Sequence, residues 1–261
     1  MHSSAGLMVG LGLAAGVLGG LLGIGGAAVI IPGLVLLAGF SQHRAHGTSL
    51  AVVLFMSLAG VLTYSRFGYM DWRASAELAA GGIVGAGIGA RIVGRITGAA
   101  LGRMFCVFLT VVGARMILAG CCEATCVAES TWFQSGLAHT ASTVIIGLAA
   151  GVLSSIFGIG GGMVVVPAMV LLLCAPQKTA QGVSLAAILP IALTGMLLHG
   201  RMGNVDHRSA ALVGLGGLVG AFAGACLANR LASAALQLAF GVFLVLMSAL
   251  LFFKGDSASE R

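Results

Sequence analysis

The chain has little charge, few aromatic side chains and almost no proline. Of its 261 residues, 8% are charged and 6% are aromatic, and only four are proline. A soluble domain carries about 25% charged residues, so a water-exposed surface of ordinary composition is excluded. Apolar residues make up 59% of the chain and recur in long uncharged runs. Runs of about 20 apolar residues predict membrane-spanning helices, so we expect an all-α polytopic membrane protein.

The chain also lacks the motifs of common soluble catalysts and of ATP-driven pumps. It contains no P-loop, no HExxH metal motif and no hydrolase nucleophile elbow. Residues 23–28 have the spacing G-x-G-x-x-A, but no soluble strand precedes them and no acidic residue follows at the required distance. The net charge of +6 is too dispersed for a nucleic-acid surface. We therefore predict no enzyme activity, catalytic residue, cofactor, metal or nucleic-acid partner.

Glycine is abundant instead, with 42 residues, and it marks an internal repeat. Residues 12–32 read GLAAGVLGGLLGIGGAAVIIP, and residues 147–167, which lie 135 positions further on, read GLAAGVLSSIFGIGGGMVVVP. Between residues 12 and 110, nearly half of the positions are identical to their counterparts at this offset. The chain is therefore predicted to be a duplication, and residues 135 positions apart are called counterparts below.

Each half contains about four hydrophobic segments. They cover residues 7–39, 47–64, 74–94 and 100–120 in the first half, and 141–175, 182–199, 209–229 and 235–253 in the second. The predicted divisions are a first membrane repeat at 1–120, a polar connector at 121–140, a second membrane repeat at 141–254 and a polar tail at 255–261. Residues 41–46 and 65–73 are predicted loops, and Asp71 is placed to cap the following helix.

The first segment of each half is too long for one straight crossing. A helix over residues 7–39 would be about 50 Å long, against a hydrocarbon core of about 30 Å. Gly23, Gly25 and Gly26 are where this helix would break most easily, because glycine adopts non-helical dihedral angles without a Cβ penalty. Paired broken helices are typical of substrate sites in transporters, so we expect a re-entrant or discontinuous helix in each half.

The positions of lysine and arginine favour inverted repeats. If each broken segment re-enters, the halves are inverted. Eight basic residues then lie on one side of the membrane and four on the other, which fits the positive-inside rule. The eight are Arg44, Arg91, Arg95, Arg103, Arg201, Arg208, Lys254 and Arg261, and the four are Arg66, Arg73, Lys178 and Arg230. Parallel halves with single crossings would divide them six to six. Splitting each broken segment into two full crossings would also invert the halves, but needs short spans of about 16 residues. The favoured arrangement places the connector outside the cytoplasm.

A helix that begins just after a break would aim free backbone N–H groups and a positive dipole end at a ligand. Two such ends facing each other would hold a small anion without a buried Lys or Arg, and nearby hydroxyl groups would add donors. The predicted substrate site is Gly23, Gly25, Gly26, Thr48, Ser49, Gly158, Gly160, Gly161, Gly162 and Ser184. The alternative is that the glycines only permit close helix packing.

Several other residues have two interpretations. Gly81, Gly85 and Gly89 form a small-residue face that predicts close helix contact. Arg115 lies within a predicted span, where it could pair with Glu77, contact an anion or extend to the membrane surface. The pairs Asp71/Arg73 and Asp206/Arg208 are interpreted as helix caps and loop ion pairs. His46, His139 and His199 could carry protons, but isolated histidines near interfaces are weak evidence.

The cysteines fall into two groups. Cys121, Cys122 and Cys126 lie in the connector without counterparts, and the sequence leaves open whether they form a disulfide or bind a metal. Cys106, Cys174 and Cys226 are predicted to be apolar fillers.

The paired motif resembles the sulfite exporter TauE/SafE family of membrane transporters. The resemblance rests on two copies of G-x-x-x-G-x-x-x-x-x-x-G-I-G-G, each followed by a proline and then by A-x-G-x-S-L, at residues 45–50 and 180–185. It implies a multi-pass protein of the bacterial cytoplasmic membrane that moves sulfite, a sulfonate or a related organosulfur anion. The expected partners are thus a small anion and the lipid bilayer. The sequence leaves open whether the chain forms a homo-oligomer. Ala27 departs from the pattern, since its counterpart is Gly162.

Two other classes remain as alternatives. An anion channel or pore would also be glycine-rich and duplicated, but it would conduct without saturation or coupling. A purely structural membrane subunit would tolerate substitution of the GIGG motifs.

Overall fold

The computed structural model describes residues 5–92, 98–121, 136–157 and 160–258. Over these residues the fold consists of ten helices, without a strand. The helices of the first half are α1 (Ala5–Leu22), α2 (Ala27–Ala38), α3 (Gln42–Arg66), α4 (Trp72–Ile92) and α5 (Gly98–Cys121). Those of the second half are α6 (Leu137–Phe157), α7 (Gly162–Leu172), α8 (Gln177–Arg201), α9 (His207–Arg230) and α10 (Ser233–Ala258).

Five of the described helices contain a stretch long and apolar enough to cross a membrane. These stretches are Ala5–Leu22, Arg44–Arg66, Gln177–Arg201, His207–Arg230 and Ser233–Leu250. Helices α2 and α7 are also apolar but have only 12 and 11 residues. A helix of 12 residues is about 18 Å long, which is less than the thickness of the hydrocarbon core. The architecture agrees with the prediction of a helical polytopic membrane protein.

Each long first segment is broken into two helices that fold back on each other. In the first half, a Cβ atom added at Gly26 would lie 2.8 Å from the carbonyl oxygen of Ala15. One added at Gly33, further along α2, would overlap the side chain of Leu11 on α1. Residues further along α2 therefore contact residues earlier in α1. In the second half, the Cβ position of Gly161 lies 3.4 Å from the carbonyl oxygen of Ala150, and both residues are the counterparts of the first pair.

The broken segments pack against helices of the opposite half. Helix α1 lies against α9, where a Cβ atom at Gly220 would overlap the carbonyl oxygen of Leu13. Helix α6 lies against α4, where a Cβ atom at Gly85 would overlap the carbonyl oxygen of Leu148. Backbones approach this closely only where side chains are absent, so the small-residue face of α4 is confirmed as a packing surface.

Helices α3 and α8, which are counterparts, cross antiparallel in the middle of the bundle. The start of α3 meets the end of α8, since the Cβ position of Gly47 lies 3.1 Å from the Cβ atom of His199. The start of α8 meets the end of α3, since the Cβ position of Gly182 lies 3.2 Å from the Cβ atom of Tyr64. Helices α5 and α10 are counterparts as well, and they are joined by a 2.7 Å hydrogen bond between the hydroxyl groups of Thr110 and Ser248.

Some predicted boundaries were wrong because polar residues extend the helices beyond their apolar spans. The predicted loop at 41–46 is mostly helical, since α3 already begins at Gln42. The end of the predicted connector, 137–140, belongs to α6, and part of the predicted tail, 255–258, belongs to α10. Water can hydrate these polar helix ends, so an apolar span marks the minimum length of a helix. Residues 122–135 of the connector lie outside the described residues.

The predicted helix caps are confirmed, but the ion pairs are different from those predicted, since Arg73 pairs with Glu77 and Asp206 pairs with Arg44. The backbone N–H of Ala74 donates to Oδ1 of Asp71 over 3.0 Å, at the start of α4. The backbone N–H of Arg208 donates to Oδ1 of Asp206 over 3.1 Å, at the start of α9. Both carboxylates satisfy donors that a helix leaves free at its first turn.

Candidate functional site

The two breaks consist of glycines in a left-handed backbone conformation. Gly23, Gly25 and Gly26 have φ angles of +73°, +71° and +78°. In the second half, Gly160 and Gly161 have φ angles of +74° and +78°. Side chains of L-residues rarely adopt this region, which explains why the motif requires glycine. The remaining predicted glycine of the second break, Gly158, lies outside the described residues.

A helix whose first two residues are buried begins directly after each break. The N–H groups of Val29 and Ile30 donate to the carbonyl oxygen of Gly26 over 3.0 and 3.2 Å. The N–H groups of Ala27 and Ala28 have no carbonyl partner in the described part of the chain. These groups form the positive end of the α2 dipole. Helix α7 repeats this arrangement from Gly162, which is buried and is the counterpart of Ala27.

The breaks of the two halves lie against each other. A Cβ atom added at Gly162 would be 2.7 Å from the Cα atom of Ile24 and 3.1 Å from the carbonyl oxygen of Gly23. The structure thus brings together most of the glycines that the sequence predicted, at the point where α3 and α8 cross.

Two counterpart side chains, Val53 of α3 and Ile188 of α8, line both breaks. The Cγ1 atom of Val53 is 3.0 Å from the Cβ position of Gly25 and 3.7 Å from that of Gly160. Methyl groups of Ile188 lie 3.9 and 4.0 Å from the same two positions. The breaks therefore share one lining, made by equivalent residues of the two halves.

A buried polar pair holds the end of α1. The hydroxyl of Tyr64 lies within donating distance of the carbonyl oxygen of Gly20, at 3.0 Å, and of Oε1 of Gln181, at 3.1 Å. The amide Nε2 of Gln181 donates to the carbonyl oxygen of Leu21 over 3.1 Å. Since the last carbonyl groups of a helix lack partners within the helix, this pair stabilises the position of the first break. Sequence analysis missed both side chains.

The predicted hydroxyl groups have different surroundings. The hydroxyl of Thr48 accepts a 3.1 Å hydrogen bond from the backbone N–H of Asp206, at the α8–α9 connection. The hydroxyl of Ser49 donates to the carbonyl oxygen of His46 on its own helix over 2.9 Å. The hydroxyl of Ser184 is buried and has no hydrogen-bond partner among the described residues. Ser184 lies one turn before Ile188 on α8, so its side chain is on the side of the helix that faces the breaks.

Two of the remaining candidates are corrected by the structure. Glu77 does not pair with Arg115, because its Oε1 atom accepts from Arg73 over 3.1 Å and from Thr140 over 2.9 Å. Arg115 itself is exposed on α5. Cys174 is disulfide-bonded and not an apolar filler, whereas Cys106 and Cys226 are free.

The bundle and its paired breaks define a helical membrane protein of the kind that transporters use. The chain belongs to the sulfite exporter TauE/SafE family, whose profile matches residues 1–116 and 143–261. The two matched stretches contain most of the two predicted repeats, and the gap between them contains the whole predicted connector.

The chain is similar along most of its length to proteins named as probable membrane transporters. It is 29% identical to "Probable membrane transporter protein YunE" of Bacillus subtilis, over 95% of this chain and 97% of that protein. It is 31% identical to a "Probable membrane transporter protein" of Xylella fastidiosa, over 87% of this chain and 86% of that protein. No solved structure matches the chain.

Proposed function

We propose that the protein is a secondary transporter that carries a small oxyanion across the bacterial cytoplasmic membrane by alternating access. The substrate class is sulfite, a sulfonate or a related organosulfur anion. The observation that carries the proposal is the buried pair of glycine breaks, each followed at once by a helix N-terminus. The name of the family supports the sulfur-containing class of anion.

Backbone groups can bind an anion here without a basic side chain. Where burial is described, the buried polar residues are Ser, Thr and Gln, with no Lys or Arg among them. Oriented N–H groups at a helix N-terminus favour negative charge, and they cost little reorganisation because the helix already fixes them. A site made of dipoles binds an anion weakly enough to release it, as a transporter requires.

An inverted arrangement of the halves would allow alternating access. It is supported by the antiparallel packing of the counterparts α3 and α8. A further support is the 3.0 Å salt bridge between Arg44 and Asp206, since parallel halves would put the start of α3 and the α8–α9 connection on opposite sides. On the other face, Lys178 donates to the carbonyl oxygen of Asn229 over 2.9 Å. Rocking of one half against the other would then expose the shared breaks to each side in turn.

Flux through reconstituted vesicles tests this function. Purified protein in liposomes should take up radiolabelled sulfite with saturation, and unlabelled sulfite inside the vesicles should accelerate uptake. Such exchange requires a site that faces one side at a time. Linear flux without acceleration would replace the transporter with a channel, and an absence of flux and binding for sulfite, sulfate and sulfonates would reject an anion carrier.

A further inference from the structure

Ser57 of α3 has a buried hydroxyl group at the first break. The residue is 0% exposed, and its Oγ atom has no hydrogen-bond partner in the described part of the chain. This atom lies 3.2 Å from the position that a Cβ atom of Gly25 would occupy. The hydroxyl therefore lies next to the left-handed turn that precedes α2.

Most hydroxyl groups on these helices are satisfied locally, and Ser57 and Ser184 are the exceptions among the buried serines of α3 and α8. Thr63, Thr110, Thr143 and Thr194 each donate to the carbonyl oxygen four residues earlier. This is the usual way in which a buried serine or threonine satisfies its donor inside a helix. Ser57 has a carbonyl oxygen at the same spacing, but its hydroxyl is not bonded to it. A buried hydroxyl without a partner lowers stability, so its presence needs another explanation.

The position of Ser57 gives that explanation. Val53, which lies one turn earlier on α3, lines both breaks. The unpartnered N–H groups of Ala27 and Ala28 follow the turn next to Ser57. The Ser57 hydroxyl and the first N–H groups of α2 are thus neighbouring donors that lack acceptors. A bound oxyanion would accept hydrogen bonds from both.

We propose that Ser57 donates a hydrogen bond to the bound oxyanion and is a substrate-binding residue of the first half. This inference rests on the proposed function, since it adds a side-chain donor to the same site. The counterpart of Ser57 is Ala192, which is buried and has no polar atom on its side chain. This hydroxyl therefore has no equivalent at the counterpart position in the second half, and in the proposal it orients the ligand so that an oxygen atom points to Gly25.

The variant Ser57→Ala separates this role from a structural one. A structural hydroxyl would make the variant less stable, whereas a hydroxyl that waits for a ligand makes it more stable. Removal of an unsatisfied buried hydroxyl should raise the melting temperature of the purified protein without ligand. Alanine also favours the helix. The affinity for sulfite, sulfate or methanesulfonate, measured by calorimetry, should fall about ten- to hundredfold, which is the usual effect of one hydrogen bond to a charged group.

Thr63→Val is the matched control. Thr63 lies on the same helix, is buried, and its hydroxyl is bonded to the carbonyl oxygen of Ala59 over 2.8 Å. This variant should keep the affinity of the unchanged protein. If Ser57→Ala binds each anion as tightly as the unchanged protein does, the inference is wrong and the proposed function stands. If the unchanged protein binds none of the three anions, the proposed function fails and the inference fails with it.

Discussion

The two breaks share one backbone geometry and differ in the side chains around it. Gly25 and Gly160 are counterparts whose φ angles differ by only a few degrees, at +71° and +74°. Around Gly25 the space is tight, with Val53 at 3.0 Å and Ser57 at 3.2 Å from its Cβ position. Around Gly160 the nearest atom is 3.7 Å away. The two breaks therefore have the same backbone conformation, whereas the packing beside them differs.

The polar groups near the breaks differ as well. Tyr64 and Gln181 hold the end of α1, and their counterparts are His199 and His46. A neutral pair that joins the two halves thus corresponds to two imidazoles, one in each half. The glycines therefore determine the backbone geometry that both halves share. The neighbouring side chains carry what makes the two ends of the site chemically different.

The strongest test of the comparison concerns the sides of the membrane. Cys174 and Gly39 are counterparts in the left-handed conformation, with φ angles of +54° and +69°. With the other cysteines replaced by serine, Cys174 should react in intact cells with a maleimide that does not cross membranes. The variant Gly39→Cys, with Cys174 also replaced, should react only after the cells are permeabilised. The reaction of both positions in intact cells would refute inverted halves.

A second test asks whether the two packing interfaces are equivalent. Gly85 and Gly220 are counterparts, and a Cβ atom at either would overlap a backbone carbonyl oxygen of the facing helix. Leucine at either position should lower the free energy of unfolding by about 3 kcal/mol or more, because the helices must separate.

Gly87→Leu is the control for this test. Gly87 lies on the same helix as Gly85, and no atom of the described residues lies within 4 Å of its Cβ position. Thermal unfolding in detergent is the measurement. Equal melting temperatures for Gly85→Leu and Gly87→Leu would show that the α4–α6 contact is not close.

A third test separates the strain at a break from the role of the break in binding. Gly160→Ala meets only ordinary contacts, so its structural cost is the left-handed conformation, about 1–2 kcal/mol. Gly203→Ala should have the same cost, because Gly203 has a φ angle of +71° in a loop with no atom near its Cβ position. Only Gly160→Ala should weaken sulfite binding, by about tenfold or more, because its methyl group lies where the anion approaches. Equal affinities in the two variants would leave the glycines with a packing role.

A fourth test concerns the side chains that hold the first break. Tyr64→Phe removes the donor to the carbonyl oxygen of Gly20 and to Gln181, so it should cost about 1–3 kcal/mol of stability. The cost should be the same at pH 6 and pH 8, because a tyrosine hydroxyl does not titrate between them. An unfolding free energy equal to that of the unchanged protein would show that the pair does not stabilise α1.

The sequence by itself determined the membrane class and the positions of the breaks, and it predicts the duplication. Composition and uncharged runs exclude a soluble fold, and repeated GIGG motifs mark turns that only glycine can form. These properties are local, because hydropathy and allowed φ angles depend on each residue and its chain neighbours. For the same reason Asp71 and Asp206 could be predicted as caps from their positions before helices. Helix ends were less predictable, as Gln42 shows, because a polar helix turn and a polar loop have similar sequences.

Only the tertiary structure decided which helices meet and which hydroxyl groups are free. Thr48, Ser49 and Ser184 look alike in the sequence, but Thr48 accepts from Asp206 and Ser49 donates within its own helix. Ser57 was not predicted, although it lies two turns after Ser49 on α3 and next to the first break. Hydrogen bonding between residues 158 positions apart, or contact between the two breaks, depends on how the halves pack. That packing follows from the sum of many weak contacts between helices, which no short motif encodes.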